Sequence, residues 1–183
     1  MIHQRSNRPG IRNARRLAWV AAVLGCAAQT PGDAVRSPAA AATGGPQFTR
    51  ITLERKPCFG TCPVYMVSIE GDGSVVFDGI AHVDSARRVT SHIDVARVTA
   101  LTRLLDESHF FTLDDKYVSG ERNCPLYATD APTVITSIEI GGRTKRVQHD
   151  LGCSGPPARL AVLEDRIDEL AEVWRWTNGQ RPR

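Results

Sequence analysis

The sequence predicts an α+β domain of two layers, a mainly antiparallel sheet with two amphipathic helices packed on it. Three observations carry that prediction. Residues 133–140 alternate, with Val134, Thr136, Ile138 and Ile140 on one face and Ser137 and Glu139 on the other, and Gly141-Gly142 then offers a two-residue turn into a return strand over 143–150. From Asp94 the period changes: Val95, Val98, Leu101 and Leu105 recur at three or four residues. A second helical stripe, Leu160, Leu163, Ile167, Leu170 and Trp174, closes the chain. Strands paired through short turns and covered by two helices make a two-layer sandwich.

The remaining elements follow in order. Residues 51–55 form a short strand, and 64–69 (VYMVSI) a second one rich in β-formers. Gly71-Asp72-Gly73 turns the chain into a hairpin partner at 75–77, and 80–83 and 89–92 add one or two further strands. The first helix ends near Ser108, and Phe110-Phe111 plug its end into the core. Residues 114–132 carry Gly120, Asn123, Pro125 and Pro132 with little periodicity and read as a long loop. Ser154 or Gly155 caps the last helix, Pro156 and Pro157 suit its first turn, and Asn178-Gly179 stops it. The acids Glu164, Asp165, Asp168 and Glu169 read as the solvated face of that helix.

The first 47 residues have a different character. Arg12, Arg15 and Arg16 precede an apolar run over 17–24, and small residues then surround Cys26, the order of an export signal. The run from Leu17 to Ala28 is twelve residues, short of the roughly 20 that a membrane span needs. Val23-Leu24-Gly25-Cys26 resembles a bacterial lipobox, which makes residues 1–25 a lipoprotein signal peptide and Cys26 the lipidated residue. The competing reading is an ordinary signal cleaved near Ala27-Ala28; Arg15-Arg16 also hints at twin-arginine export, in a poorly fitting context. Residues 26–47, rich in Ala, Pro, Gly, Ser and Thr, bury too little to offset ordering entropy and read as a flexible tether to a single domain over 48–183.

Charge narrows the partners. The chain carries 23 Lys and Arg against 20 Asp and Glu, but five arginines and no acid lie in residues 1–25. The remainder is near −2, with no clustered positive footprint for nucleic acid. The expected contacts are the membrane, through the N-terminal lipid, and an envelope protein or ligand.

Four cysteines fall in the domain: Cys58, Cys62, Cys124 and Cys153. An exported domain meets an oxidising compartment, where disulfides are the default. A turn at Gly141-Gly142 pairs residues whose numbers sum to 283, such as Val134 with His149. Cys153 therefore leaves the open end of that hairpin, where the loop carrying Cys124 enters. The expected bridges are Cys124–Cys153 and Cys58–Cys62. Two other readings compete. Cys58 and Cys62 could exchange disulfides, although three residues separate them, where a redox pair has two at a helix N-terminus. The four could bind zinc, although such sites use two close pairs and Cys124 and Cys153 are 29 apart.

The stretch Ile51-x-Leu53-Glu54-Arg55-x-Pro57-Cys58-Phe59-Gly60-x-Cys62-Pro63-x-Tyr65 resembles the opening of a family of bacterial envelope domains, domain of unknown function 6438. Gly71-Asp72-Gly73, Phe110-Phe111, Tyr117, Thr129-Asp130-x-Pro132 and the closing helix extend the resemblance over nearly all of 49–176. It implies an exported, often lipid-anchored protein in the cell envelope, facing the periplasm, and brings no established activity, cofactor or catalytic residue.

Individual site candidates are few. His149 shares the hairpin face of Val134 and reads first as a hydrogen-bonded, partly buried side chain, with a ligand or base as the sharper alternative. Asp130 suits an Asx-turn before the strand, or half of an acid–base pair with His149. Tyr65 packs its ring and bonds its hydroxyl locally. No HExxH, phosphate loop, GxSxG or dinucleotide fingerprint is present. No cofactor and no metal are expected, and an enzyme is the less favoured reading. The sequence points to a lipid-anchored binding or interaction module; a periplasmic thiol-disulfide exchange enzyme and a purely structural envelope component are the alternatives.

Overall fold

The computed structural model describes residues 48–179. The expected signal peptide (1–25), lipidation at Cys26 and tether (26–47) all fall outside the described residues. Seven strands make one sheet: β1 (Arg50–Arg55), β2 (Val64–Glu70), β3 (Ser74–Ala81), β4 (Arg88–His92), β5 (Lys116–Tyr117), β6 (Thr133–Ile140) and β7 (Arg143–Asp150). Their order is β4-β3-β2-β1-β6-β7-β5. All neighbours are antiparallel except β5, which pairs parallel to β7.

The alternation along β6 sets its face: Val134, Thr136 and Ile138 are buried. Gly141 and Gly142 both take positive φ (56° and 76°), which two-residue hairpins demand, and Val134 pairs with His149 as the turn arithmetic requires. The two-residue β5 lies inside the segment predicted to be loop. It is too short to leave a period-2 signature and depends on β7 for its hydrogen bonds.

Two helices cover one face of the sheet, α1 (Val95–Ser108) and α2 (Ala158–Leu170). Asp94 caps α1 by accepting from the Arg97 N–H at 2.9 Å. Val98, Leu101 and Leu105 face inward, whereas Val95, at the first turn, is 79% exposed. The helices run antiparallel and are tied at both ends. Arg159 donates to the Ser108 carbonyl at 2.8 Å, and Arg97 reaches the Leu170 carbonyl at 3.1 Å and Glu172 at 2.8 Å.

The end of α2 departs from prediction. Pro157, not Ser154 or Gly155, precedes its first residue, with no side-chain cap. The helix stops at Leu170, well before Asn178-Gly179, because Glu172 adopts a left-handed φ of 57° and starts a 3₁₀ turn at Val173–Arg175. That reversal buries Val173 and Trp176 and leaves Trp174 half exposed. No helix among the described residues is long and apolar enough to cross a membrane.

Phe77 sits at the centre of the core, fully buried, with its ring 5.2 Å from Tyr65 and 5.0 Å from Trp176. Phe110 is buried at the end of α1, as expected, while Phe111 is only partly covered and holds the Arg143 guanidinium 4.9 Å above its ring. Truncating Phe77 removes its ring contacts with Tyr65 on β2 and with Trp176 in the C-terminal segment. Phe77→Ala is expected to cost about 3–5 kcal/mol, read as a drop in the urea midpoint at unchanged m-value.

Candidate functional site

The strands arrange one end of the sheet into a row. Reading across in register, Tyr65 on β2, Arg55 on β1, Val134 on β6, His149 on β7 and Tyr117 on β5 stand side by side on the helix-covered face, and all five are buried. Each strand reaches this row by its own period of two: Ile51, Leu53 and Arg55 share one face of β1. The third inward position of β1 is therefore an arginine.

Its charge is met from α2. Arg55 Nε and Nη2 donate to Asp168 Oδ2 at 3.0 and 2.7 Å, and Nη2 also reaches Asp165 Oδ1 at 3.2 Å. The Tyr65 hydroxyl donates to Asp168 Oδ1 at 2.8 Å. One turn earlier on α2, Glu164 Oε2 stands 2.7 Å from His149 Nδ1, and Thr136 Oγ1 lies 3.5 Å from Oε1. Glu164 and Asp168 are thus buried, contrary to their reading as a solvated face; only Asp165 and Glu169 of the four are exposed. The signal was present in the spacing, since 160, 164, 168 and 163, 167, 171 make one continuous helical stripe. Carboxylates on that stripe and an arginine on the apolar face of β1 imply each other.

Burial dominates the electrostatics. It pushes the Asp168 pKa up to about 6, against the lowering pull of the Arg55 charge and the Tyr65 and Arg55 hydrogen bonds. Burial works to lower the Arg55 pKa, but the attraction of Asp168, with further raising from Tyr65 and Glu164, leaves it above its ordinary value. The Tyr65 phenol is raised first by burial and then by the Asp168 charge.

Two disulfide-closed loops continue from the strand ends that carry this row. Cys58–Cys62 closes the β1–β2 connection, and Cys124–Cys153 joins the loop before β6 to the segment after β7, both as expected. Neither Cys58 nor Cys62 is at a helix N-terminus, the position from which redox-active cysteine pairs usually work. The loops are stitched to each other and to the sheet. The Phe59 N–H donates to the Asp130 carbonyl at 3.2 Å, and Ala128 N–H to the Gly152 carbonyl at 2.9 Å. At Gly152 and Gly155 the two segments come so close that a Cβ would lie 2.0 Å from the Ala128 carbonyl oxygen and 1.9 Å from that of Asn123. The braced loops nevertheless present large apolar side chains to solvent: Phe59 is 87% exposed, Leu126 73% and Tyr127 42%.

The candidates singled out from sequence separate accordingly. His149 and Tyr65 belong to the buried network; Tyr65 bonds Asp168, 103 residues away, rather than a local group. Asp130 is exposed at a left-handed φ of 73°, accepts from Phe59 through its carbonyl, and is not the partner of His149. Arg55, Glu164 and Asp168 join the site without having been singled out. Among the described residues no group of three or more His, Cys, Asp or Glu side chains is placed to hold a metal. The arrangement presents exposed apolar side chains on two disulfide-closed loops at the end of the sheet that carries a buried ionic seam.

Two outcomes test the seam. Arg55→Leu leaves Asp168 without its counter-charge and is expected to cost about 3–5 kcal/mol, while Arg55→Leu with Asp168→Leu costs less than that single change, read from urea unfolding. The second concerns pH. A carboxyl whose folded pKa (about 6) lies above its ordinary value of 3.8 gives its full stabilisation below about pH 4 and loses it as pH rises through 6. The stability of the native chain relative to Asp168→Asn should therefore fall between pH 4.5 and 7.5, by an amount on the order of 2–3 kcal/mol. A difference that grows with pH would contradict the raised value.

Residues 49–171 match the model of a family described as a domain of unknown function (DUF6438), and the chain belongs to that family. No curated protein matches it.

Proposed function

We propose that this member of the DUF6438 family is an exported, lipid-anchored module of the bacterial envelope that binds a partner protein through its disulfide-braced loop end. The observation that carries the reading is the exposure of Phe59, Leu126 and Tyr127 on loops held by two disulfides, a hydrogen bond between them and glycine-tight packing. Large apolar side chains on a rigid frame lose little entropy on binding, which is how compact interfaces gain affinity.

The direction of the strands supports the same reading. The described chain starts at Phe48, beside the β2–β3 and β6–β7 turns, where Thr49 N–H donates to the Glu139 carbonyl and the Thr49 carbonyl accepts from Gly71. The braced loops lie at the opposite end of the sheet, one strand length away, roughly 20 Å. A domain attached through its N-terminal side would hold the apolar rim away from its attachment. Export favours the same picture, because both disulfides persist in an oxidising compartment.

The test uses the full chain in membranes. Cys26→Ser should move it to the soluble fraction. Phe59→Ser with Leu126→Ser should leave the thermal midpoint within about 2 °C, since both side chains are exposed, and abolish cross-links that the native chain forms to a specific envelope protein. Retention of the Cys26→Ser chain in membranes overturns the anchor. Cross-links unchanged in the rim variant overturn the binding surface.

A further inference from the structure

The sheet face turned away from α1 and α2 has no covering element among the described residues, and its side chains follow from register. One row across the strands reads Ser137, Thr52, Ser68, Val76 and Thr90. The rows on either side bring charges: Arg50 beside Glu70, and Asp78 beside Arg88. These rows enclose a hollow of about 340 Å³, floored by Thr52, Ser68, Met66 and Val76 and walled by the four charged side chains. That volume falls within the range of about 300–1,000 Å³ seen for small-molecule sites.

The charges decide what the hollow suits. Arg50 Nε stands 2.7 Å from Glu70 Oε1, and Arg88 Nη1 lies 3.5 Å from Asp78 Oδ2. Each guanidinium has its own carboxylate, so the wall is neutral in sum. An anion would meet two acids and a cation two arginines. Each ion pair uses one oxygen and one nitrogen, and the opposite carboxylate oxygen and the other guanidinium nitrogens retain hydrogen-bonding capacity. Acceptors and donors paired on either side of a hydroxyl-bearing floor match vicinal diols, which both donate and accept. Met66 and Val76 supply an apolar strip for the C–H face of a sugar ring.

We infer that this hollow is a binding site for a neutral polyhydroxylated ligand, an oligosaccharide segment laid across β1, β2 and β3. The site lies on a different face from the braced loops and does not depend on them.

The experiment titrates the full-length chain, in detergent, with maltotetraose and with N-acetylglucosamine tetramer, following backbone amide shifts of residues 50–54, 66–70 and 76–78. Inorganic phosphate and Mg²⁺ serve as charged controls. Saturable binding of at least one oligosaccharide is expected. It should weaken at least tenfold in Thr52→Val with Asp78→Asn, a pair of near-isosteric changes at half-buried strand positions, with the thermal midpoint retained. Phe59→Ser should leave this binding unchanged. No saturable shift with either oligosaccharide up to 10 mM, undiminished binding in the double variant, or preferential binding of phosphate or Mg²⁺ at the hollow would each overturn the assignment.

Discussion

The period of two along β1 puts Arg55 on the face that the helices cover, and a guanidinium inside a core must find a counter-ion there. Asp168 supplies it, and in doing so fixes where α2 lies. With Asp168 over Arg55, the residue one turn earlier, Glu164, falls over Thr136 on β6 and His149 on β7, one and two strands further along the sheet. Helix α2 thus crosses β1, β6 and β7 in a single register. A purely apolar stripe could slide by a turn at little cost, whereas this one would strand two carboxylates and an arginine. Burial outweighs the arginine at Asp168, so the pair contributes placement more than net stability.

The rest of the helix layer depends on that placement. Helix α1 packs on α2 and is bound to it at both ends through Arg97 and Arg159. The segment after α2 then returns to the sheet, where Trp176 closes on Phe77 and its carbonyl accepts from Asp84. The same seam forms the floor of the loop end. Arg55 lies three residues before Cys58, Tyr65 three after Cys62 and His149 four before Cys153, so the strand ends that carry the ionic row also carry both bridges. Loops anchored on a fixed row and closed by disulfides can keep Phe59 and Leu126 in solvent without a core of their own.

The two faces of the sheet are built to different rules. The covered face admits charge only in satisfied groups. The open face spreads hydroxyls and neutralised ion pairs over several strands and leaves a hollow among them. The covered face therefore fixes the structure, while the open face and the loop rim are the two surfaces for which binding is proposed.

Much of this was legible in the residues because local rules determine it. Alternation fixed the faces of β6, two glycines fixed the hairpin register, and that register placed Cys153 beside the loop of Cys124. Three features were not legible. The two-residue β5 has no pattern of its own. The end of α2 was misplaced because Trp174 continues the helical spacing, while the left-handed turn at Glu172 that ends it is imposed by burial of Val173 and Trp176. The acids of α2 read as solvated because charge on a helix normally faces water; their burial needs Arg55, more than 100 residues earlier in the chain. By itself, then, the sequence determined the six longer strands, the two helices up to the end of α2, the sheet-forming turns and the expected cysteine partners, all consequences of short-range periodicity and turn chemistry. Which charges go inside, and hence where the last helix rests, was decided only by the tertiary structure, because a buried ion is tolerable solely where a distant partner arrives to meet it.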